Sequence, residues 1–504
     1  MIIKINDFDN VATVSSEEGL RKNSRVEEFG LKILEDIPFG QKVLLKKIKK
    51  DEPIIRYGEV IGYSNSEKEK GQLIDEHSMY IKSVDNLSEE NIGEFTQQYR
   101  FQENAAYEER YFLGYKNPDG TVGTRNLLAI NTTVQCSEGF VNIAIKKIEE
   151  ELLPKYKNVD GVVAINHLYG CGVAIKAKGS EIPQRTISNI AKNPNFGGRG
   201  LTVCLGCEKF KVEDAFEESG ADSVLIMQDY PGMEKMMGTL MEEAESLLKE
   251  LNTREREKIP VSELRVGLQC GGSDAFSGMT ANPAIGYAAD LLVQQGASVI
   301  FSEVTEVRDG VHLLLKRIKD EEIRKKMIQE MRWYDNYLEE GEVDRSANPS
   351  PGNKAGGLAS IIDKAMGSIT KSGTSEIVDV LSHGERIRRK GLTFAATPAS
   401  DFVCGTQQLA SGINIMVFST GRGTTYNLKE VPVLKISTNN KLYKKWDDLI
   451  DINAGEIASK EKTIEQVGKE IFEQIIRTAS GEKTCADKYK LYNQLAVFNP
   501  APIT

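Results

Sequence analysis

The sequence predicts an α/β protein with a mostly parallel sheet in its C-terminal part, preceded by a small all-β module. Three observations predict it. Residues 264–310 (LRVGLQCGGSDAFSGMTANPAIGYAADLLVQQGASVIFSEVTEVRDG) alternate as strand, glycine-rich polar turn, helix, strand and polar turn. From about residue 111 onward, more short apolar runs alternate with stretches of helical period. Residues 1–85 hold only short apolar runs between glycines and charges, with no helix of useful length.

In order, strands are expected at 11–14, 40–46 and, as one run, 54–63. Residues 86–110 are acidic and poor in aliphatics, the composition of a linker, with Phe95, Tyr99, Phe101 and Tyr107 available to pin it to a neighbour. The first buried strand, 127–130, ends near Asn131 to Cys136 and is followed by a helix at 140–153. The strand at 161–165 ends in Asn166-His167-Leu168-Tyr169-Gly170-Cys171, that at 201–205 in Gly206-Cys207-Glu208, and 223–227 is another. A charged helix is expected at 238–257. Then come the strand 264–268, the helix 281–295 and the strand 297–301, with a long charged helical region reaching residue 340. Residues 344–360 form a Pro-, Gly- and Asn-rich loop whose Arg345, Ser346, Asn348, Asn353 and Lys354 suit a substrate-facing role. Helix resumes at 361–369. A strand at 392–396 ends in Thr397 to Asp401, a helix opens near Thr406, and a strand at 414–418 ends in Ser419 to Thr424. The expected domains are thus 1–85, a linker 86–110, a middle α/β domain 111–257 and a C-terminal domain 258–504.

Bulk properties narrow the function. The formal net charge of −10 argues against a nucleic-acid partner, which needs a basic face. No apolar run approaches the ~18 residues of a membrane span, and MIIKINDFDN lacks a signal-type apolar core, so no membrane partner and a cytoplasmic location are expected. There is no dinucleotide or phosphate-loop fingerprint.

Consecutive parallel strands joined by right-handed crossovers end on one edge of a sheet, where ligands bind. The chemistry of this chain lies in the turns at such ends. Cys136, Cys171, Cys207, Cys270 and Cys404 each sit beside Gly or polar residues at an expected strand end, whereas Cys204 and Cys485 look structural. Free cysteine is also a common small buried residue, so single positions carry little; five in one setting suggest metal or thiolate chemistry. Of four histidines, His167, beside Asn166 and Cys171, is the candidate for proton transfer, with a hydrogen-bonded structural histidine as the alternative. His312 ranks below it, His77 reads as a surface residue and His383 as an exposed one. Glu303, Glu306 and Asp309 cluster after the 297–301 strand, and thiolates with carboxylates suit an iron-like divalent ion better than Mg²⁺. Arg125, Arg308 and Arg422 lie in polar turns, and arginine grips carboxylates at two points.

These segments are long enough to carry a resemblance. GYKNPDGTVGTRNLL, NVDGVVAINHLYGCGVAI, LGCEK, GLQCGGSDAFSGMTANPAIGYA, FSEVTEVRDG, RSANPSPGNKAGGL, TPASDFVCGTQQLASG and NQLAVFNPAPIT resemble the altronate/galactarate dehydratase family over essentially the full length. The resemblance implies a β-clip (SAF-like) N-terminal domain, a Rossmann-like C-terminal catalytic domain and a homodimer. It further implies iron-dependent dehydration of a sugar diacid, galactarate, to 5-dehydro-4-deoxy-glucarate. The cofactor expected is Fe²⁺, with an iron–sulfur cluster as the other form of the iron. Only His77 stands where altronate-type relatives carry a histidine-rich stretch. For this chemistry His167, Glu303 and Asp274 are the expected catalytic residues. Arg125, Asn166, Ser273, Arg308, Thr406 and Arg422 are expected on the substrate, and Cys136, Cys171, Cys207, Cys270, Cys404 and Glu306 on the metal. An altronate dehydratase, a sulfolactate sulfo-lyase, an iron–sulfur redox protein and a non-catalytic binding protein are the competing readings.

Overall fold

The computed structural model describes residues 2–82, 87, 108–213 and 223–504. The expected linker and its aromatics lie, for the most part, outside the described residues.

The N-terminal module is antiparallel. Ile2–Ile3, Val11–Val14, Lys42–Leu44 and Leu73–Ile74 form a four-stranded sheet in that order, and Pro53–Arg56, Glu59–Ser64 and Met79–Tyr80 a three-stranded one. The run expected as one strand at 54–63 is a hairpin. Tyr57 and Gly58 take φ of 61° and 76°, as a two-residue turn with left-handed positions requires. The alternation of the flanking residues masked the turn because Tyr57 is not a typical turn residue.

The middle domain carries a parallel sheet ordered Gly161–Ile165, Leu127–Thr132, Gly200–Cys204, Ser223–Ile226. Its side chains divide with period two. Leu128, Ile130 and Val162 pack against Phe140, Ile148, Leu240 and Leu248 of the helices Glu138–Glu151 and Met233–Leu251. Leu127, Ala129, Val163 and Ile165 pack against Leu409, Met416 and Phe418 of the C-terminal domain. The helix expected to reach 257 stops at Leu251, and Glu257–Pro260 pairs as a strand with Tyr111–Lys116. Arg254 and Arg256, which read as a helical surface, instead bond the Asn117 and Asn126 side chains and the carbonyls of Leu113, Thr124 and Ala479.

The C-terminal domain is built on seven parallel strands in the order Ile377–Leu381, Gly391–Ala395, Ser298–Phe301, Arg265–Cys270, Ile415–Thr420, Val433–Ser437, Ile452–Asn453. One face packs on Ala284, Ile285, Ile471 and Ile475, the other joins the core shared with the middle domain. The strands Ile377–Leu381 and Val433–Ser437 were not expected. Each is interrupted by a charge that the fold nonetheless buries: Asp379, paired to Arg388 at 2.8 Å, and Lys435. The chain winds from Arg265–Cys270 towards one side of the sheet and returns to its other side at Ile415–Thr420. The crevice of this open sheet therefore opens beside Cys270, where ligands bind in such folds.

The N-terminal module is docked on the C-terminal domain by buried charge. Asp363, on the helix Ile361–Ile369, accepts from Lys42 Nζ at 2.7 Å and Arg56 Nη1 at 2.6 Å, with all three side chains buried. Phe39 stacks on Phe276 at 4.7 Å, and Ser360 donates to the Ile61 carbonyl at 2.7 Å.

Candidate active site

At the crevice the strand Arg265–Cys270 delivers the Cys270 thiol and the strand Ser298–Phe301 delivers Glu303. Glu303 is a non-glycine residue at φ 76°, a left-handed conformation that costs on the order of 1–3 kcal/mol and concentrates at functional sites. The short helix Val304–Val307 then turns Glu306 back beside it. Cys270 Sγ lies 3.3 Å from Glu306 Oε2 and 3.9 Å from Glu303 Oε2.

The opposite wall is the helix Ile361–Ile369 and the turn after it. Lys364, Ser368 and Lys371 stand at i, i+4 and i+7, the spacing of one helical face. Lys364 Nζ reaches Glu306 at 2.6 Å and also donates to the side-chain Oδ1 atoms of Asn348 and Asn353 at 2.9 and 3.3 Å. Lys371 Nζ lies 2.8 Å from Glu303, 3.1 Å from Cys270 Sγ and 3.0 Å from Ser368 Oγ. Ser368 donates to Glu306 at 3.2 Å. The helix that carries Asp363 towards the N-terminal module thus carries the two lysines towards the site.

Burial and charge set the protonation pattern. Burial, joined by the charge of Glu306, pushes Glu303 up to about 8 against the pull of Lys371. Burial also works upward on Glu306, but Lys364 and Lys371 outweigh it and hold Glu306 below the usual carboxylate range. Burial and Glu306 push the Cys270 thiol up to about 12. Asp401, which opens the helix Asp401–Ala410, is pushed up to about 6 by burial and then by Glu306. A Cβ on Gly271 would collide with the Asp401 carboxylate, so only glycine admits this approach.

A cavity of about 590 Å³ opens onto these groups, walled by Cys270, Gly271, Glu306, Lys364, Asp401 and Arg345 among others. That is ample for a small polar acid. A cavity of about 600 Å³ along the helix Glu321–Glu340 and one of about 510 Å³ lined by Arg125 and Asp487 are walled by charged residues too, but neither is lined by a cysteine or histidine, and Arg125 and Asp487 are paired to each other.

The sequence expected one rim for all the reactive residues; the structure distributes them over two sheets. Cys270, Glu303 and Glu306 come together, and Arg345, Asn348 and Asn353 of the 344–360 loop line the cavity. Arg422 is exposed, near Gly272 at the same crevice. His167, Asn166, Cys136, Cys171 and Cys207 belong to the edge of the middle sheet. His167 is buried, with Nε2 donating to the Thr132 carbonyl at 2.8 Å and Nδ1 accepting from the Tyr169 N–H at 3.2 Å. Burial pushes it down to about 4, and with both ring nitrogens engaged by backbone groups it is held as a structural histidine rather than turned to a substrate. We expect H167Q to cost about 1–3 kcal/mol in thermal unfolding, the penalty for a buried partner left unpaired. It should leave the pH limbs of turnover where they were; a shifted limb would return His167 to the chemistry.

Other expectations are corrected in the same way. Asp274 is buried and consumed as an acceptor by Thr438, Asn439, Ser277 and the Phe276 N–H, so it clamps its loop. Arg125 pairs with Asp487 at 2.6 Å and donates to the Lys429 carbonyl, and Arg308 pairs with Asp335 at 2.8 Å. Thr406 donates to the Phe402 carbonyl and accepts from the Ala496 N–H. Asn166 donates to Asn142. Ser273 is buried at the crevice with its carbonyl bound by Asn353. Cys404 sits inside a helix and is fully buried rather than at a strand end. His383, expected to be exposed, is buried against Trp333, Tyr334 and Phe498. Lys364, Lys371 and Asp401 were not singled out in the sequence. The one signal for the lysines was their spacing with Ser368, which places them on one face of the helix Ile361–Ile369 and its continuation.

Comparison with known proteins adds an independent line. Three family models match in series: the altronate/galactarate dehydratase SAF domain at residues 1–82, the D-galactarate dehydratase/altronate hydrolase second domain at 114–252, and the D-galactarate/altronate dehydratase C-terminal domain at 261–503. The chain is 53% identical to galactarate dehydratase (L-threo-forming) of Escherichia coli (strain K12), covering 100% of this chain and 97% of that protein. It is 33% identical to altronate dehydratase of Bacillus subtilis (strain 168), covering 98% of each. It is 29% identical to (2R)-sulfolactate sulfo-lyase subunit beta of Chromohalobacter salexigens, covering 75% of this chain and 95% of that one.

Proposed function

The chain belongs to the D-galactarate/altronate dehydratase family, and from that premise we propose that it is a hydro-lyase that dehydrates galactarate to 5-dehydro-4-deoxy-glucarate. The observation that carries this choice over altronate is the 53% full-length identity to a galactarate dehydratase against 33% to an altronate dehydratase.

The site's own groups fit the reaction. A proton alpha to a carboxylate is weakly acidic, so its removal needs a base held next to cations that take up the developing charge. Asp401 is the base: it lines the cavity, and a value of about 6 leaves it ionised at neutral pH yet more basic than an ordinary aspartate. Lys364, braced by Asn348 and Asn353, faces the cavity as the cation for the reacting carboxylate. Arg345, held by Asp309 and Asp335, stands on the wall for the far carboxylate of a diacid. The proton that Asp401 acquires is the one the departing β-hydroxyl needs, so a single carboxylate serves both steps and water leaves.

Iron is part of the proposal, and the residues present fit it. Cys270, Glu303 and Glu306 offer one sulfur and two carboxylate oxygens within 4.8 Å of one another. The second Glu303 oxygen, Oε1, is buried with no hydrogen-bond partner. Sulfur with carboxylate suits a borderline divalent ion such as Fe²⁺. A bound ion there would supply Lewis-acid stabilisation of negative charge on the substrate. The Lys371 ammonium now lies between Cys270 and Glu303, and its unbranched side chain can retreat towards Ser368.

Two further points belong to the same reading. A cytoplasmic location is supported by seven cysteines that are all unpaired. A homodimer is supported by the edge strand Ser223–Ile226, which leaves Val224 and Ile226 exposed. The test of function is turnover of galactarate, glucarate, altronate and sulfolactate side by side with Fe²⁺ present. The highest kcat/KM is expected on galactarate; a higher value on altronate would overturn the assignment.

A further inference from the structure

Three exposed thiols remain unused by this site. Cys136 follows the strand Leu127–Thr132, Cys171 follows Gly161–Ile165, and Cys207 follows Gly200–Cys204. These are three adjacent parallel strands with Leu127–Thr132 in the middle, so their C-terminal ends share one edge, ~4.8 Å apart from strand to strand. All three cysteines are exposed, whereas Cys204, only three residues from Cys207, is buried in its strand.

The three loops are tied to one another. The Gln135 N–H donates to the Tyr169 carbonyl at 3.3 Å, joining the Cys136 loop to the Cys171 loop. Thr133 Oγ1 bonds the Glu208 carboxylate, joining the Cys136 loop to the Cys207 loop. Glu208 also accepts from the Leu205 and Gly206 N–H groups, which fixes the turn that lifts Cys207. The hydrogen bonds of His167 lock the strand end at Thr132 to Tyr169. Gly170, at φ 102°, lies so close to the Thr133 carbonyl that no side chain is admitted.

Among the described residues, the only group of His, Cys, Asp and Glu ligand atoms that lie within 4.8 Å of one another is Cys270–Glu303–Glu306. The three thiols are therefore not all within that distance of one another, and no described histidine, aspartate or glutamate forms such a group with them. Thiolates in this arrangement suit a polynuclear iron–sulfur group.

We propose that Cys136, Cys171 and Cys207 hold a [4Fe–4S] cluster by three thiolates, at the edge of the middle sheet and separate from the Cys270–Glu303–Glu306 group. Each thiol gives up its proton on binding, and the fourth iron is left without a cysteine ligand. His167 and Glu208 act as positioning residues for the loops. The inference does not depend on the reaction assigned above, because it is read from bound sulfide rather than from turnover.

The experiment is anaerobic reconstitution of the full chain with Fe³⁺, sulfide and dithiothreitol, the dithiol supplying the two electrons that bring four Fe³⁺ to the two-ferric, two-ferrous level, followed by desalting, iron and acid-labile sulfide analysis, and electron paramagnetic resonance after dithionite reduction. The wild type is expected to retain about four sulfides per chain with matching iron. The triple variant C136S/C171S/C207S is expected to lose all of the sulfide and the resonance, with far-ultraviolet circular dichroism unchanged. C270S is expected to keep its sulfide. Its loss of turnover would then be a separate result about the other site. A wild type that retains iron or zinc but no sulfide overturns the proposal. So does a triple variant that retains sulfide at the wild-type level. If the triple variant unfolds, the single variants decide: undiminished sulfide in all three overturns the proposal equally.

Discussion

Replacing Asp401 by Asn is expected to lower kcat/KM by ~10²–10⁴-fold, the usual worth of a positioned general base. Of the carboxylates on the cavity wall, Glu306 is tied to Lys364 and Asp344 is spent capping the Ser346 N–H, which leaves Asp401, and its value of about 6 gives the effect a second signature. The base must be ionised to act, so wild-type kcat/KM should rise with pH through about 6 and then level off. In D401N the residual rate should lack that limb. A variant with near-normal turnover, or one that keeps the limb, would remove Asp401 from the mechanism. The Asn side chain is isosteric, and Gly271 leaves the space the carboxylate occupies, so a folding defect is not expected to confuse the result.

The sequence made the sheet legible and the site only in part, for reasons that can be located. Apolar runs marked the strands Leu127–Thr132, Gly161–Ile165 and Ser298–Phe301, because both sheet faces are buried and polar residues stand only at the strand ends. Asp379 and Lys435 hid two strands of the same sheet, because a buried, paired or confined charge looks in sequence like a surface one. The same ambiguity hid the site. Nothing in the sequence marks Lys364 and Lys371 apart from the charged residues of any surface helix, and they were not singled out, yet they are buried against Glu306 and Glu303. Arg125 and Arg308 read as substrate grips, yet they are spent on Asp487 and Asp335. Position at a strand end identified candidate chemistry; it could not tell which of two parallel sheets a strand end belongs to. That is why five cysteines were assigned to one rim when three belong to the middle sheet and Cys404 to a helix interior.

Replacing Asp363 by Ala is expected to destabilise the protein by about 3–5 kcal/mol, because it leaves Lys42 and Arg56 buried without their counter-charge. Burial works to raise the Asp363 carboxyl, but Lys42 and Arg56 prevail and hold it down at about 2. Its folded value therefore lies below the ~3.9 of an unfolded aspartate. The stability it contributes, on the order of 2–3 kcal/mol, is present in full above the unfolded value and is lost as pH falls towards the folded one. Wild-type stability should accordingly drop between about pH 5 and pH 2 by an amount that D363A lacks. The site should suffer as well, since Asp363 and Lys364 are neighbours on the helix Ile361–Ile369 and Lys371 follows its end. Loss of docking would release the face that presents both lysines, and kcat/KM should fall although Asp363 points away from the cavity. Thermal unfolding of K42M/R56M/D363L separates the two contributions. Apolar replacement of a whole buried charge group is often neutral or stabilising, so this variant should recover stability that D363A loses. If D363A instead unfolds within ~0.5 kcal/mol of the wild type, the range of a featureless surface substitution, the charged triad does not hold the N-terminal module in place.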